Sequence, residues 1–283
     1  MARLSYNNGE TNTKKRSSFL AANPVMRRLD KVQEYSETDC ATYGGITKKT
    51  AMFLFFTLGG ILLELLLSDT LAGGALYETN YKGFPIALYQ NEIIALGASV
   101  VLAIVFQLLA FFASKTTPVT GSLYCITQGY FISFLIFKVL KGYEYYGVLA
   151  LIITFVIIAV MALLYSKGII RVTKKFKMVM LTLLISSIAV SVLSIAAYFI
   201  PFTRKYMVAL TNNFALSIVF AVLFIIIAAL FLICDFNTID HVVSNKLPKQ
   251  YEWQAAFGLA FTIVWLYIKV LDLILSIVGN SRK

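Results

Sequence analysis

Phe214-Ala-Leu-Ser-Ile-Val-Phe-Ala-Val-Leu-Phe-Ile-Ile-Ile-Ala-Ala-Leu-Phe-Leu-Ile-Cys234 carries no charged residue. As a helix rising about 1.5 Å per residue, it matches a bilayer hydrocarbon core of about 30 Å. Outward from it, stretches of the same kind predict spans at Thr50–Leu67, Ile93–Ala113, Gly121–Phe137, Tyr146–Tyr165, Met178–Ile200 and Ala255–Val278. The expected fold class is an all-α integral membrane protein with seven transmembrane helices. Residues 1–49 read as a basic, partly disordered cytoplasmic tail, and residues 50–283 as the membrane domain.

Composition agrees with this reading. Hydrophobic residues make up 59% of the chain and charged residues 14%, against roughly 25% charged in soluble domains. The first apolar run begins only at Ala51, later than a cleavable signal places its core, so the first span is expected to stay in the protein. With the amino terminus inside, the inner segments hold 17 Lys and Arg and the outer segments 7. That bias predicts a cytoplasmic N-terminus and an external C-terminus. The basic loop Arg171-Val-Thr-Lys-Lys-Phe-Lys177 contributes most after the tail. Tyr143, Tyr145, Tyr146, Tyr251 and Trp253 sit where aromatic residues anchor helix ends at an interface.

Several classes of chemistry fall away. The formal charge of +11 suits cytoplasmic retention and anionic lipid, because the basic residues precede a span and no nucleic-acid module accompanies them. His241 is the one histidine, which removes multi-histidine zinc sites and leaves no catalytic triad except around itself. It titrates near physiological pH or is an ordinary loop histidine. The paired glycines at 44–45, 59–60 and 73–74 lack phosphate-loop spacing and read as helix contacts or turns. Cys40, Cys125 and Cys234 lie too far apart to suggest a disulfide framework. No enzyme activity and no cofactor are expected.

Membrane chemistry needs ionisable groups inside spans, each costing about 2.5–3.5 kcal/mol at the bilayer centre unless it finds a partner or a cavity. Glu64 in the first span and Lys269 with Asp272 in the seventh are expected at comparable depth. Lys269 and Asp272 form an i,i+3 pair on one helix face. The three read either as a proton- or cation-responsive cluster or as a local ion pair with Glu64 reaching the interface. Asp235 closes the sixth span, followed by Asn237, Asp240 and His241. Those oxygens suit a hard cation at a pore mouth or a solvated helix end. Gln107 and Gln128 are buried amides able to bridge helices or to meet a ligand.

The segments Asn23-Pro-Val-Met-Arg-Arg-Leu29 and Thr42-Tyr-Gly-Gly-Ile46 with Lys49-Thr50 resemble the amino-terminal signature of bacterial Bax inhibitor family proteins of the YccA-like branch. The similarity continues through Pro118, Gln128-Gly129, Ile170-Arg-Val-Thr-Lys-Lys-Phe176, Glu252-Trp-Gln-Ala-Ala-Phe-Gly-Leu259 and Val264-Trp-Leu-Tyr267. It implies six helices around the seventh, in a multi-pass protein of a bacterial plasma membrane. It further implies either a pH-sensitive calcium leak serving ion homeostasis and stress protection, or a regulator that binds other membrane proteins such as a membrane protease. The implied partners are the lipid bilayer, calcium ions and other membrane proteins, without nucleic acid.

In the leak-forming branch two aspartates share protons, with apparent pKa values that belong to the pair. Aligning Phe236-Asn237-Thr238 puts Asn237 at the first, and counting back from Asp272 puts Thr262 at the second; neither is an acid. Asp235 stands two residues before Asn237, an offset of about 200° around a helix. Lys269 and Asp272 carry the charges the family places there in the reverse order, and Gln128 replaces a glutamate. The candidate path or gate is therefore Asp235, Asn237, Asp240 and Thr262, and the candidate intramembrane ion pair is Lys269, Asp272 and Glu64.

Overall fold

The computed structural model describes residues 40–82, 84–113, 115–180, 182, 183, 186, 202, 203 and 213–281. The basic tail before Cys40 and most of the span expected at Met178–Ile200 lie outside the described residues. Among the described residues, six helices are long and apolar enough to cross a membrane: α1 (Tyr43–Leu71), α2 (Gln90–Phe112), α3 (Thr117–Ser133), α4 (Tyr145–Ser166), α5 (Phe214–Ser244) and α6 (Tyr251–Asn280). The protein is a multi-pass membrane protein built as a helical bundle.

The helices overrun the expected spans because their polar ends continue past the apolar core. α1 begins at Tyr43, inside the segment read as tail. Thr42 caps it by accepting the Gly45 N–H at 3.0 Å, a bond that satisfies one of the helix's orphan donors. Asn213 caps α5 in the same way through the Leu216 N–H at 3.2 Å. Beyond Ser133, α3 loosens into a π-helical turn, Phe134–Val139, in which the Leu140 N–H reaches back to the Leu135 carbonyl at 3.1 Å.

One element was absent from the sequence reading. Between α1 and α2 the chain forms an antiparallel hairpin, β1 (Leu76–Tyr81) and β2 (Phe84–Tyr89), paired from Leu76 with Tyr89 to Tyr81 with Phe84. β2 alternates buried and exposed, as a half-buried strand must. Phe84, Ile86 and Leu88 join the same core as Leu271, Ile274 and Leu275 of α6.

α6 packs against all five other described helices. Ala256, Phe257, Ala260, Leu266, Leu271 and Leu275 are fully enclosed along it, as in a helix with neighbours on several sides. Around Phe257 the rings of Phe53, Phe111 and Tyr124 stand edge-on at 5.7, 5.3 and 5.6 Å, joining α1, α2, α3 and α6. Outer faces such as Leu66, Val101, Val148, Phe155 and Val219 are exposed and face lipid. α1 and α3 approach most closely where Gly60 and Gly129 oppose each other. A Cβ on either would overlap the other helix's backbone.

The bundle has two distinguishable ends. One holds the start of α1, the end of α5 and the start of α6, and is called the tail end here. Ala41 donates its N–H to the Leu247 carbonyl there at 2.8 Å. The other is the hairpin end.

Candidate functional site

At the tail end, acids on the last two helices gather groups from distant parts of the chain. Glu252, in the first turn of α6, is completely enclosed. Its carboxylate takes an ion pair from Lys49 and accepts the Thr42 N–H at 2.8 Å and the Thr42 hydroxyl at 3.2 Å. Lys49 also lies over the Trp253 ring at 4.9 Å. The start of α6 is thereby fixed to the start of α1.

Asp240 ties three helices. It accepts the Tyr43 hydroxyl of α1 at 3.0 Å and the Tyr165 hydroxyl of α4. Asn237, one turn earlier on α5, lies beside the same Tyr165 hydroxyl. Asp240 and Asn237 therefore do come together, around a phenol. Asp235 is 3% exposed on α5. It stands one turn beyond Phe231, whose ring meets Trp265 of α6 at 6.1 Å, so this face of α5 looks toward the central helix. Thr262 is buried on α6 and gives its hydroxyl to the Gly258 carbonyl at 3.1 Å, a bond within its own helix. Gln254 is fully enclosed on α6, and neither end of its amide has a hydrogen-bond partner among the described residues.

The expected cluster of Glu64, Lys269 and Asp272 is not what the structure assembles. Asp272 pairs with Lys82 of the hairpin turn, whereas the Lys269 ammonium lies over the Phe224 ring at 5.0 Å. Glu64 is enclosed between α1 and α3 and accepts the Ser133 hydroxyl at 2.8 Å. An i,i+3 spacing sees only the local neighbour, and the hairpin brings a cation from far along the chain. A second hairpin-end pair joins Lys138 of the π turn to Glu92 at 2.6 Å. Glu92 also accepts the Tyr89 N–H at 2.9 Å, closing the first turn of α2. In the connection before α4, Glu144 accepts the Gly142 N–H at 2.7 Å, which holds its carboxyl below the usual range.

Gln107 and Gln128 do not bridge α2 and α3. Both line a cavity of about 180 Å³ between those helices, with Ser99, Ala103, Thr127 and Phe131. No group of three or more metal-binding side chains occurs among the described residues. The three cysteines are free thiols.

Sequence reasoning singled out Asp235, Asn237, Asp240 and Asp272 but missed Tyr43 and Tyr165 as the partners of Asp240, Lys82 as the partner of Asp272, and the Lys49–Glu252 pair. Lys49 and Glu252 were visible only as members of two separate family-like segments. A family model described as Bax inhibitor 1 like matches residues 17–279. No curated protein and no solved structure matches the chain.

Proposed function

We propose, from the premise that the chain belongs to the Bax inhibitor 1 like family, that it is a non-enzymatic leak for small cations, calcium among them. The observation that carries this reading is unmet polar capacity in the tail half. The Gln254 amide is sealed in with no hydrogen-bond partner among the described residues; beside this, α5 carries the buried carboxylate of Asp235. Orphaned polar groups in a dry interior cost free energy and persist where water or an ion is to be met. An ionisable group inside a membrane bundle points the same way.

In this reading the tail end is the inner mouth, as the basic residues around it favour, in a bacterial plasma membrane. Asp240 holds the mouth shut by drawing Tyr43 and Tyr165 together. Asp235 takes the place that the neutral Asn237 and Thr262 cannot fill. The test is calcium flux into proteoliposomes holding the purified protein, across pH about 5.5 to 8, beside an Asp235→Asn variant. Flux that the variant loses is the expected result. Absence of flux at every pH sinks the leak.

One observation favours a second reading, a regulator that binds other membrane proteins. Gln107 and Gln128 face the cavity between α2 and α3 without hydrogen-bond partners among the described residues. An amide at that depth suits a polar side chain on a neighbouring helix. Co-purification of a membrane partner that Gln107→Leu abolishes, in a protein without flux, is what this reading expects.

A further inference from the structure

The ammonium of Lys82 lies in a cradle of oxygens at the hairpin end. It pairs with the Asp272 carboxylate and donates to the Asp272 carbonyl at 3.3 Å and the Ser276 hydroxyl at 2.9 Å. The Ser217 hydroxyl, from α5, stands 3.2 Å from that of Ser276. α6 thus supplies one carboxylate, one carbonyl and one hydroxyl to the ammonium, and the Ser217 hydroxyl of α5 backs that of Ser276. The side chains of Lys82 and Asp272 are 19% and 32% exposed, so the cradle is sheltered yet reachable from water.

The hairpin is shaped to deliver this one charge. Lys82 adopts a left-handed φ of 52° at the turn. The turn lies so close to α6 that a Cβ on Gly279 would overlap the Lys82 carbonyl. Phe84, just beyond the turn, is fully enclosed. The tip is seated by its backbone and by Phe84, and the ammonium reaches across to Asp272.

We propose that this cradle is a binding site for a monovalent cation, which Lys82 fills as an ion tethered to the chain. Carboxylate, carbonyl and hydroxyl oxygens are the donors such an ion takes, and an ammonium group is close to potassium in size. Serine hydroxyls rotate to present lone pairs or protons as needed. The donor set carries one negative charge. A calcium site usually gathers several carboxylates, and this one has a single carboxylate. Lys269 lies one turn deeper on α6, held over Phe224, and a cation there opposes a divalent ion in the cradle more than a monovalent one.

The inference deepens the leak reading and rests on it for any effect on flux, while binding at the cradle is measured apart from flux. The full-length chain is purified as wild type, Lys82→Ala and Lys82→Ala with Asp272→Asn. Thermal unfolding midpoints are followed as choline chloride is exchanged for potassium chloride at constant ionic strength. The midpoint of Lys82→Ala is expected to rise by about 2–4 °C, with no rise in the wild type or in the double variant. No potassium-specific rise in Lys82→Ala overturns the site. So does an equal rise in the double variant, or a larger rise with calcium at matched ionic strength. Radioactive rubidium binding to Lys82→Gln, which keeps a hydrogen-bond donor at the tip, asks the same question if the alanine variant does not fold. Retention by Lys82→Gln that Asp272→Asn removes is expected, and no retention overturns the proposal. A protein without calcium flux that still passes these tests loses the leak and keeps the site.

Discussion

At the tail end the carboxylates of Glu252 and Asp240 are met by groups carried on the long helices α1 and α4. At the hairpin end Asp272 and Glu92 are met by lysines on a hairpin turn and a π turn. The first arrangement ties helix to helix, and a partner cannot withdraw without moving the bundle. The second ties short connections onto helices, and the hairpin among them is also held by Phe84, Ile86 and Leu88 in the core. Burial divides the two ends less sharply: the lysines Lys49, Lys82 and Lys138 keep 16%, 19% and 27% of their side-chain exposure, and their partners Glu252, Asp272 and Glu92 keep 1%, 32% and 6%. The tail-end ties therefore join helices to one another, whereas the hairpin-end ties hold connections against helices, and the two kinds are expected to differ in what their loss costs.

The largest expected effect is at Glu252. Glu252→Ala leaves the Lys49 ammonium and the Thr42 N–H facing an apolar gap. Removing one partner of a buried pair typically costs about 3–5 kcal/mol. Thermal and chemical unfolding of the purified protein in detergent measures the loss. A change below about 1 kcal/mol would mean that the tail end is no firmer than a surface ion pair, and the contrast between the ends would be broken.

The sequence made the spans legible because long uncharged stretches have one physical solution in a bilayer. It also made Asp235 legible, as an acid at the end of an apolar run. It did not make the hairpin legible: Phe84, Ile86 and Leu88 alternate over too few residues to stand out between two spans, although Lys82-Gly83 is a turn-like pair. The partners of the acids were hidden for a different reason. Lys82 meets Asp272, and Lys49 meets Glu252, across most of the chain, and only the packing around α6 brings them together. Local spacing proposed Lys269 for Asp272, a neighbour on the same helix that in three dimensions turns to Phe224. The bridging role read for Gln107 and Gln128 failed because α2 and α3 leave a cavity where those amides stand.

An intermediate effect is expected where α4 joins the tail end. Tyr165→Phe removes one of the two phenols on Asp240, and a hydrogen bond to a charged group is worth about 1.5–3 kcal/mol. Tyr43→Phe removes the other, on a side chain half exposed to solvent, and is expected to cost less. The double variant measured beside the singles sharpens the comparison. A coupling of more than about 0.5 kcal/mol means that the two phenols act on Asp240 as one unit, while simple additivity means that α1 and α4 are held separately.

The smallest effect is expected at Lys138, and it bears most directly on how the two ends differ. Glu92 keeps the Tyr89 N–H at 2.9 Å when Lys138 is replaced by Gln, so its carboxylate is not orphaned and the start of α2 stays closed. With the lysine partly exposed, the loss falls in the range of about 0–1 kcal/mol typical of solvent-screened pairs. Global unfolding should then be almost unchanged. Amide hydrogen exchange in residues 76–89 should quicken, because the π turn and β2 pack against each other and Lys138 is a polar tie between the π turn and the helix that follows β2. Faster exchange confined to the hairpin identifies that end as a unit that opens by itself. An equal increase in α1 and α6 would show instead that the two ends open together, and the distinction between the two kinds of tie would fail.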